Sequence, residues 1–161
     1  MTVSPPSFRR PAVEIVAATA AHAERIELRP GDAREIAALG LTMPQAFAVS
    51  TARPVWAETY LIDGEIAAMG GLSVHSLLGG RGVPWLLTGR PVDRHPRLFL
   101  EATRAGVARM RAHFPVLANW VHAEYRQTIR WLGWLGFEIG APRPLPPYGA
   151  LFSRFAIGEK A

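Results

Sequence analysis

Cysteine is absent from the 161 residues, which removes disulfides, thiolate metal sites and cysteine nucleophiles in one step. Lysine is nearly absent too. Lys160 is the only one, so almost all of the basic charge is arginine, spread from Arg9 to Arg154 among 13 acids for a formal net charge of +5. Such scatter reads as base composition of the genome rather than as a binding stripe for a polyanion. Long apolar runs are missing as well. The longest charge-free stretch, Ile36 to Ala52, is broken by Pro44 and carries Gln45, Ser50 and Thr51, so no membrane span is expected. The N-terminus lacks the apolar core of a signal peptide. What is present is core material: 49% of the residues are hydrophobic and 19% charged, which excludes a disordered or fibrous chain and suits one domain.

Residues 1–12, with Pro5, Pro6 and Pro11 around Phe8 and Arg9-Arg10, read as a flexible tail, and residues 13–161 as a single domain. Val13 to Ala17 suits a first strand. Thr19 can cap a helix to about Leu28, and Asp32, in the turn Pro30-Gly31-Asp32, can cap the next, in which Ile36 and Leu39 share a face before Gly40. Thr42 starts a third helical turn, Gln45 to Ser50. Asp63-Gly64 between Val55 and Leu72 predicts a β-hairpin with a type I′ turn. Gly79-Gly80-Arg81-Gly82 reads as a loop and Val83 to Thr88 as a strand. Pro96 opens a long helix to His113 whose apolar face runs through Phe99, Ala102, Gly106 and Met110. Val116 to Ala123 is the next strand, Arg126 to Leu135 an amphipathic helix ended by Gly136, and Phe137-Glu138-Ile139 and Leu151 to Ile157 the last strands. The order predicts an α/β (α+β) domain with a mixed sheet.

The segment Val121-His122-Ala123-Glu124-Tyr125-Arg126-Gln127-Thr128-Ile129-Arg130-Trp131-Leu132-Gly133-Trp134-Leu135-Gly136-Phe137-Glu138 resembles the strand-helix-Leu-Gly-Phe signature of the GNAT N-acetyltransferase superfamily. Arg29-Pro30-Gly31-Asp32 and the Asp63-Gly64 hairpin resemble that fold's opening features. Leu77-Leu78-Gly79-Gly80, Pro84-Trp85-Leu86-Leu87, His95-Pro96 and Arg130-Trp131-Leu132 are similar in particular to divergent GNAT-like proteins of tailed phages, some of them internal virion proteins. The resemblance implies a mostly antiparallel central sheet flanked by helices and splayed between its fourth and fifth strands. It also implies acetyl-CoA as co-substrate and an amine acceptor.

Such an enzyme holds a pyrophosphate, presents a thioester, takes a proton from an amine and gives one to a thiolate. The family cradles the pyrophosphate on Gln/Arg-x-x-Gly-x-Gly/Ala at a helix start. Here Gly89-Arg90-Pro91-Val92-Asp93-Arg94-His95-Pro96 has no glycine after Gly89 and two prolines without amide donors, which leaves Arg90, Arg94 and Arg97 either as side-chain substitutes or as solvated arginines beside a helix start. Main-chain groups of Trp85, Leu86, Leu87 and Thr88 are the resemblance's candidates for lining the pantetheine. The family's acidic tyrosine falls at Leu132, which has no proton to give. Tyr125 is either a substitute acid or a satisfied aromatic at a strand end, and His122 and Glu124 qualify by type as bases, with His75 and Glu58 as further options. Asn119, in an apolar strand, needs partners and reads as structural. Trp131 and Trp134 read as packing residues.

The expectation is therefore an acyl-CoA-dependent N-acetyltransferase acting on a small amine or a protein acceptor, with no metal. The alternative is a catalytically inactive GNAT-fold virion or accessory protein acting through protein partners. The expected location is the cytoplasm, or the virion if phage-derived. A homo-oligomer is compatible with the chain, whereas a membrane or nucleic-acid partner is not expected, because no motif joins stacking aromatics to basic residues.

Overall fold

In the computed structural model, residues 9–75 and 78–161 are described; the expected tail residues 1–8 and Leu77 of the loop motif lie outside them. The chain runs β1 (Val13–Ala17), α1 (Ala20–Arg25), α2 (Pro30–Ala38), α3 (Met43–Ser50), β2 (Pro54–Ile62), β3 (Glu65–Val74), β4 (Arg81–Thr88), α4 (Pro91–Arg94), α5 (Pro96–His113), β5 (Val116–His122), α6 (Arg126–Trp134), β6 (Glu138–Ile139), β7 (Arg143–Leu145) and β8 (Ala150–Ile157). The strands form one sheet in the order β1-β2-β3-β4-β5-β8-β6, with β7 also on β8. Every pairing is antiparallel except β4 with β5.

Local chemistry accounts for the element ends. Asp63 and Gly64 have φ of 49° and 80°, the two positive values that a type I′ hairpin needs. Thr19 caps α1, and Thr42 with Gln45 forms a full capping box on α3. Gly136, at φ 97°, ends α6. Some element bounds and faces shift from expectation. Helix α1 stops at Arg25 because Leu28 forms a bridge with Gly89. Arg81 and Gly82 join β4 because they pair with Val116 and Leu117. Ala102 lies on the exposed side of α5, whose inner face is Phe99, Thr103, Gly106, Val107 and Met110.

The helices cover both faces of the sheet. Ala23 of α1 and Ile26 just after it, with Met43 and Phe47 of α3, pack on Met69 and Trp85. On the opposite face Val107 and Met110 of α5, Ile129 and Leu132 of α6, and Leu135 just after it pack on Leu72, Leu117 and Val121. Leu132, where a phenol was expected from the family, is buried in this core.

β4 and β5 pair only at Arg81 with Val116 and Gly82 with Leu117, and then diverge. The sheet is thus open and splayed between its fourth and fifth strands.

Candidate functional site at the splay

A splay leaves backbone groups on two strands without a ladder, and each needs a partner. Alternation fixes which ones. On β4 the Pro84 carbonyl and both Thr88 backbone groups face the gap, while the Gly89 N–H turns back to Ala67 O. On β5 the N–H groups of Trp120 and His122 face the gap, and the Ala123 N–H turns away to Leu151 O.

Side chains satisfy most of these groups. Asn119 staples the narrow end, donating through Nδ2 to Pro84 O at 2.8 Å and accepting from Trp120 N at 2.9 Å. This is the structural role expected of it. At the wide end the start of α2 is seated across the mouth. Asp32 accepts from Thr88 N at 3.2 Å, from Thr88 Oγ1 at 2.7 Å and from the Tyr125 hydroxyl at 3.0 Å. Arg29 N donates to Thr88 O at 2.9 Å, and Glu35 Oε2 accepts from His122 N at 2.8 Å. By the same alternation Leu86 also turns its N–H and C=O into the gap, and there they meet no side chain among the described residues.

Asp32 therefore does not cap α2; Arg29 holds the cap position and Asp32 lies buried inside the first turn. Burial raises its pKa, opposed by the donors of Thr88 and Tyr125 and by Arg29. Burial also pushes Glu35 up to about 7, with the Asp32 charge adding to the rise and the His122 amide opposing it. The Tyr125 phenol is raised by burial and by Asp32, so it stays protonated at neutral pH. The sequence offers Asp32 only as a helix cap and Glu35 not at all, yet a signal exists: carried back one turn, the Ile36 and Leu39 stripe lands on both. Two acids on an inward stripe are a buried-carboxylate pattern.

The structure places the sequence candidates unevenly. Tyr125 enters the site, its ring against Gly31. His122 enters through its backbone; its ring lies 5.1 Å from Phe152 and accepts the Glu124 N–H at 3.2 Å. Glu124 is exposed in the turn after β5, so it does not share a strand face with His122. Glu58 is tied to Arg109 and Tyr60, and His75 is exposed at the end of β3. The side chains of Trp85 and Leu87 point into the α1 and α3 layer, where the buried Trp85 Nε1–H has no partner among the described residues. Trp131 packs on Phe99 with ring centroids 5.3 Å apart.

Between β4 and α5 an extra turn, α4, consumes the amides that a phosphate would need. Arg90 N donates to Glu27 O, Val92 N to Gly89 O, Asp93 N to Arg90 O and His95 N to Val92 O. The arginines are less committed. Arg90 pairs with Glu27 at 3.7 Å and Arg94 with Glu65 at 2.6 Å, all four side chains being more than half exposed. Such pairs contribute only about 0–1 kcal/mol, so a phosphate can compete for them. Arg97 has no ion pair among the described residues.

No family model matches the chain, and no curated protein matches it in sequence. Solved structures do match it in shape. The ribosomal-protein-S18-alanine N-acetyltransferase from Escherichia coli superposes with a TM-score of 0.60 at 16% identity, over 93% of this chain and 96% of that one. A ribosomal L7/L12 alpha-N-protein acetyltransferase in complex with coenzyme A gives 0.63 at 10% identity, over 96% and 97%. An acetyltransferase of the GNAT family from Streptococcus pneumoniae gives 0.56 at 11%, over 90% and 98%. At these identities the likeness is one of fold, and the fold of this chain is that of the GNAT N-acetyltransferases.

Proposed function

We propose that the chain transfers an acyl group from acetyl-CoA, or a related acyl-CoA, to an amine bound at the mouth of the splay. The observation that carries this reading is Glu35, a carboxyl raised to about 7 at the open end of β5, where a general base for an amine is needed. One Glu35 oxygen is fixed by the His122 N–H; the other accepts the proton as the amine nitrogen attacks the acyl carbon. The Leu86 N–H supports the oxygen of that carbon as charge develops on it. The C–N bond forms, the C–S bond breaks, and Tyr125, kept protonated by its surroundings, gives the thiolate its proton. Arg97, with Arg90 and Arg94 released from their surface partners, is the anchor for the phosphates, replacing the amides that α4 has consumed. Neighbours of the same fold are acetyltransferases, one of them in complex with coenzyme A, which supports the acyl donor.

The test is calorimetry with acetyl-CoA followed by release of free thiol against a panel of primary amines. Wild type binds and turns over, with kcat/KM rising as pH passes 7. Glu35→Gln lowers kcat by about a hundredfold or more while binding persists. No acetyl-CoA binding at millimolar concentration rejects the reading.

The consumed amides between β4 and α5 favour a second reading: a GNAT-fold virion or accessory component that binds a protein partner and no acyl-CoA. A melting temperature unmoved by acetyl-CoA decides for it.

A further inference from the structure

Seven arginines form ion pairs among the described residues: Arg9, Arg29, Arg81, Arg90, Arg94, Arg109 and Arg154. Folding gathers five of the others on one surface. Arg97, Arg104 and Arg111 recur every seven residues along α5, about 10 Å apart on one stripe. Arg126, Arg130 and Trp134 recur every four residues along α6. The helices lie side by side and run the same way, because Phe99 meets Trp131, the Trp131 Nε1–H donates to Thr103 Oγ1 at 3.3 Å, and Arg104 sits 4.3 Å over the Trp134 ring. That last contact joins the two stripes. Glu101 is the only acid on either helix, with Glu124 and Glu138 flanking α6. Large apolar side chains are exposed on the same face: Trp134 is 47% exposed and Leu100 37%.

We infer that this face binds a single-stranded polynucleotide. Five guanidiniums without carboxylate partners suit a phosphate chain, and a half-exposed indole backed by Arg104 offers a platform on which an unpaired base stacks. Acidic protein would use the arginines and leave Trp134 unexplained. The combination is invisible along the chain because its members come from two helices about thirty residues apart in sequence. The inference is independent of acyl transfer. Arg97 is common to both proposals, so the test rests on Arg104, Arg111 and Trp134.

Fluorescence anisotropy with labelled oligouridylate and oligodeoxyuridylate, at rising salt, reads the binding directly; preference between them identifies the sugar that is read. Neutralising five phosphates gives a slope of log K on log salt of about −3.5. Removing two of them in the double variant Arg104→Ala, Arg111→Ala makes the slope shallower by about 1.4, and leaves the acetyl-CoA-induced thermal shift unchanged. Trp134→Ala weakens binding roughly tenfold, and Trp134→Phe restores most of it because stacking needs only a π-face. The inference is overturned if neither oligonucleotide binds at low salt, if the double variant and Trp134→Ala bind as wild type does, or if poly-glutamate competes as well as an oligonucleotide of equal charge.

Discussion

Glu35 links the chemistry of the site to the stability of the fold. Its pKa rises from an ordinary 4.5 to about 7 on folding, so between those values the native state holds a proton that the unfolded chain has released. Stability from this group is complete below pH 4.5 and is lost as pH climbs through 7. The loss is on the order of 3 kcal/mol. Urea midpoints measured from pH 5 to pH 8 should fall for the wild type and stay level for Glu35→Gln, which keeps the carbonyl that accepts from His122. Ordinary carboxylate behaviour, with stability rising over that range, would contradict the assignment. Asn119 makes the matching case without charge. Asn119→Leu fills similar volume but leaves Pro84 O and Trp120 N unpaired at the seam, costing about 1–3 kcal/mol in denaturant titration.

At the scale of elements, α2 is the part that turns an open splay into a closed site. Its first turn reaches the gap only because position 31 is glycine: a Cβ there would stand 2.1 Å from the Tyr125 ring. Gly31→Ala should lift this turn off β4 and β5, lowering the melting temperature and speeding amide exchange at Thr88 and His122, whose N–H groups α2 caps. Equal protection in both proteins would mean that α2 is held from elsewhere. What could be read along the chain follows from the same distinction between near and far. The Asp63-Gly64 hairpin, the Thr19 and Thr42 caps and the Pro96 start are set by neighbours within a few residues, and all were legible. The partners of Asp32 and Glu35 lie 56 to 93 residues away, so the capping preference of Asp32 was readable and its burial against Thr88 was not. Helix α4 was missed because Pro91 after Gly89 reads as a loop, yet its fixed φ also suits a first helical position. His122 and Glu124 suggest bases by their side chains, whereas the site takes its contact with Glu35 from the His122 backbone.

For the whole molecule, the narrow parallel seam decides how the two parts of the sheet hold together. β1 to β4 form one ladder and β5 with β6 to β8 another, and they share only the rows Arg81 with Val116 and Gly82 with Leu117. Helices α5 and α6 clamp the two parts through Leu72 on one side and Leu117 and Val121 on the other, and Arg81 reaches Glu159 beyond the last strand at 2.7 Å. Gly82 sits where both devices converge: a Cβ added there would approach Leu72 Cδ1 at 2.8 Å, Leu117 Cδ2 at 2.9 Å and Phe114 Cδ2 at 3.1 Å. Leu72 and Leu117 are fully buried, so their methyl groups have little room to yield, and Gly82→Ala should cost about 1–3 kcal/mol. The loss has a location as well as a size. Native-state exchange should quicken along β4 and β5 together, while the β2–β3 hairpin, paired over almost its whole length, keeps its protection relative to global unfolding. A uniform loss of protection across all strands would instead make the sheet one cooperative body, with the splay a feature of the binding site alone.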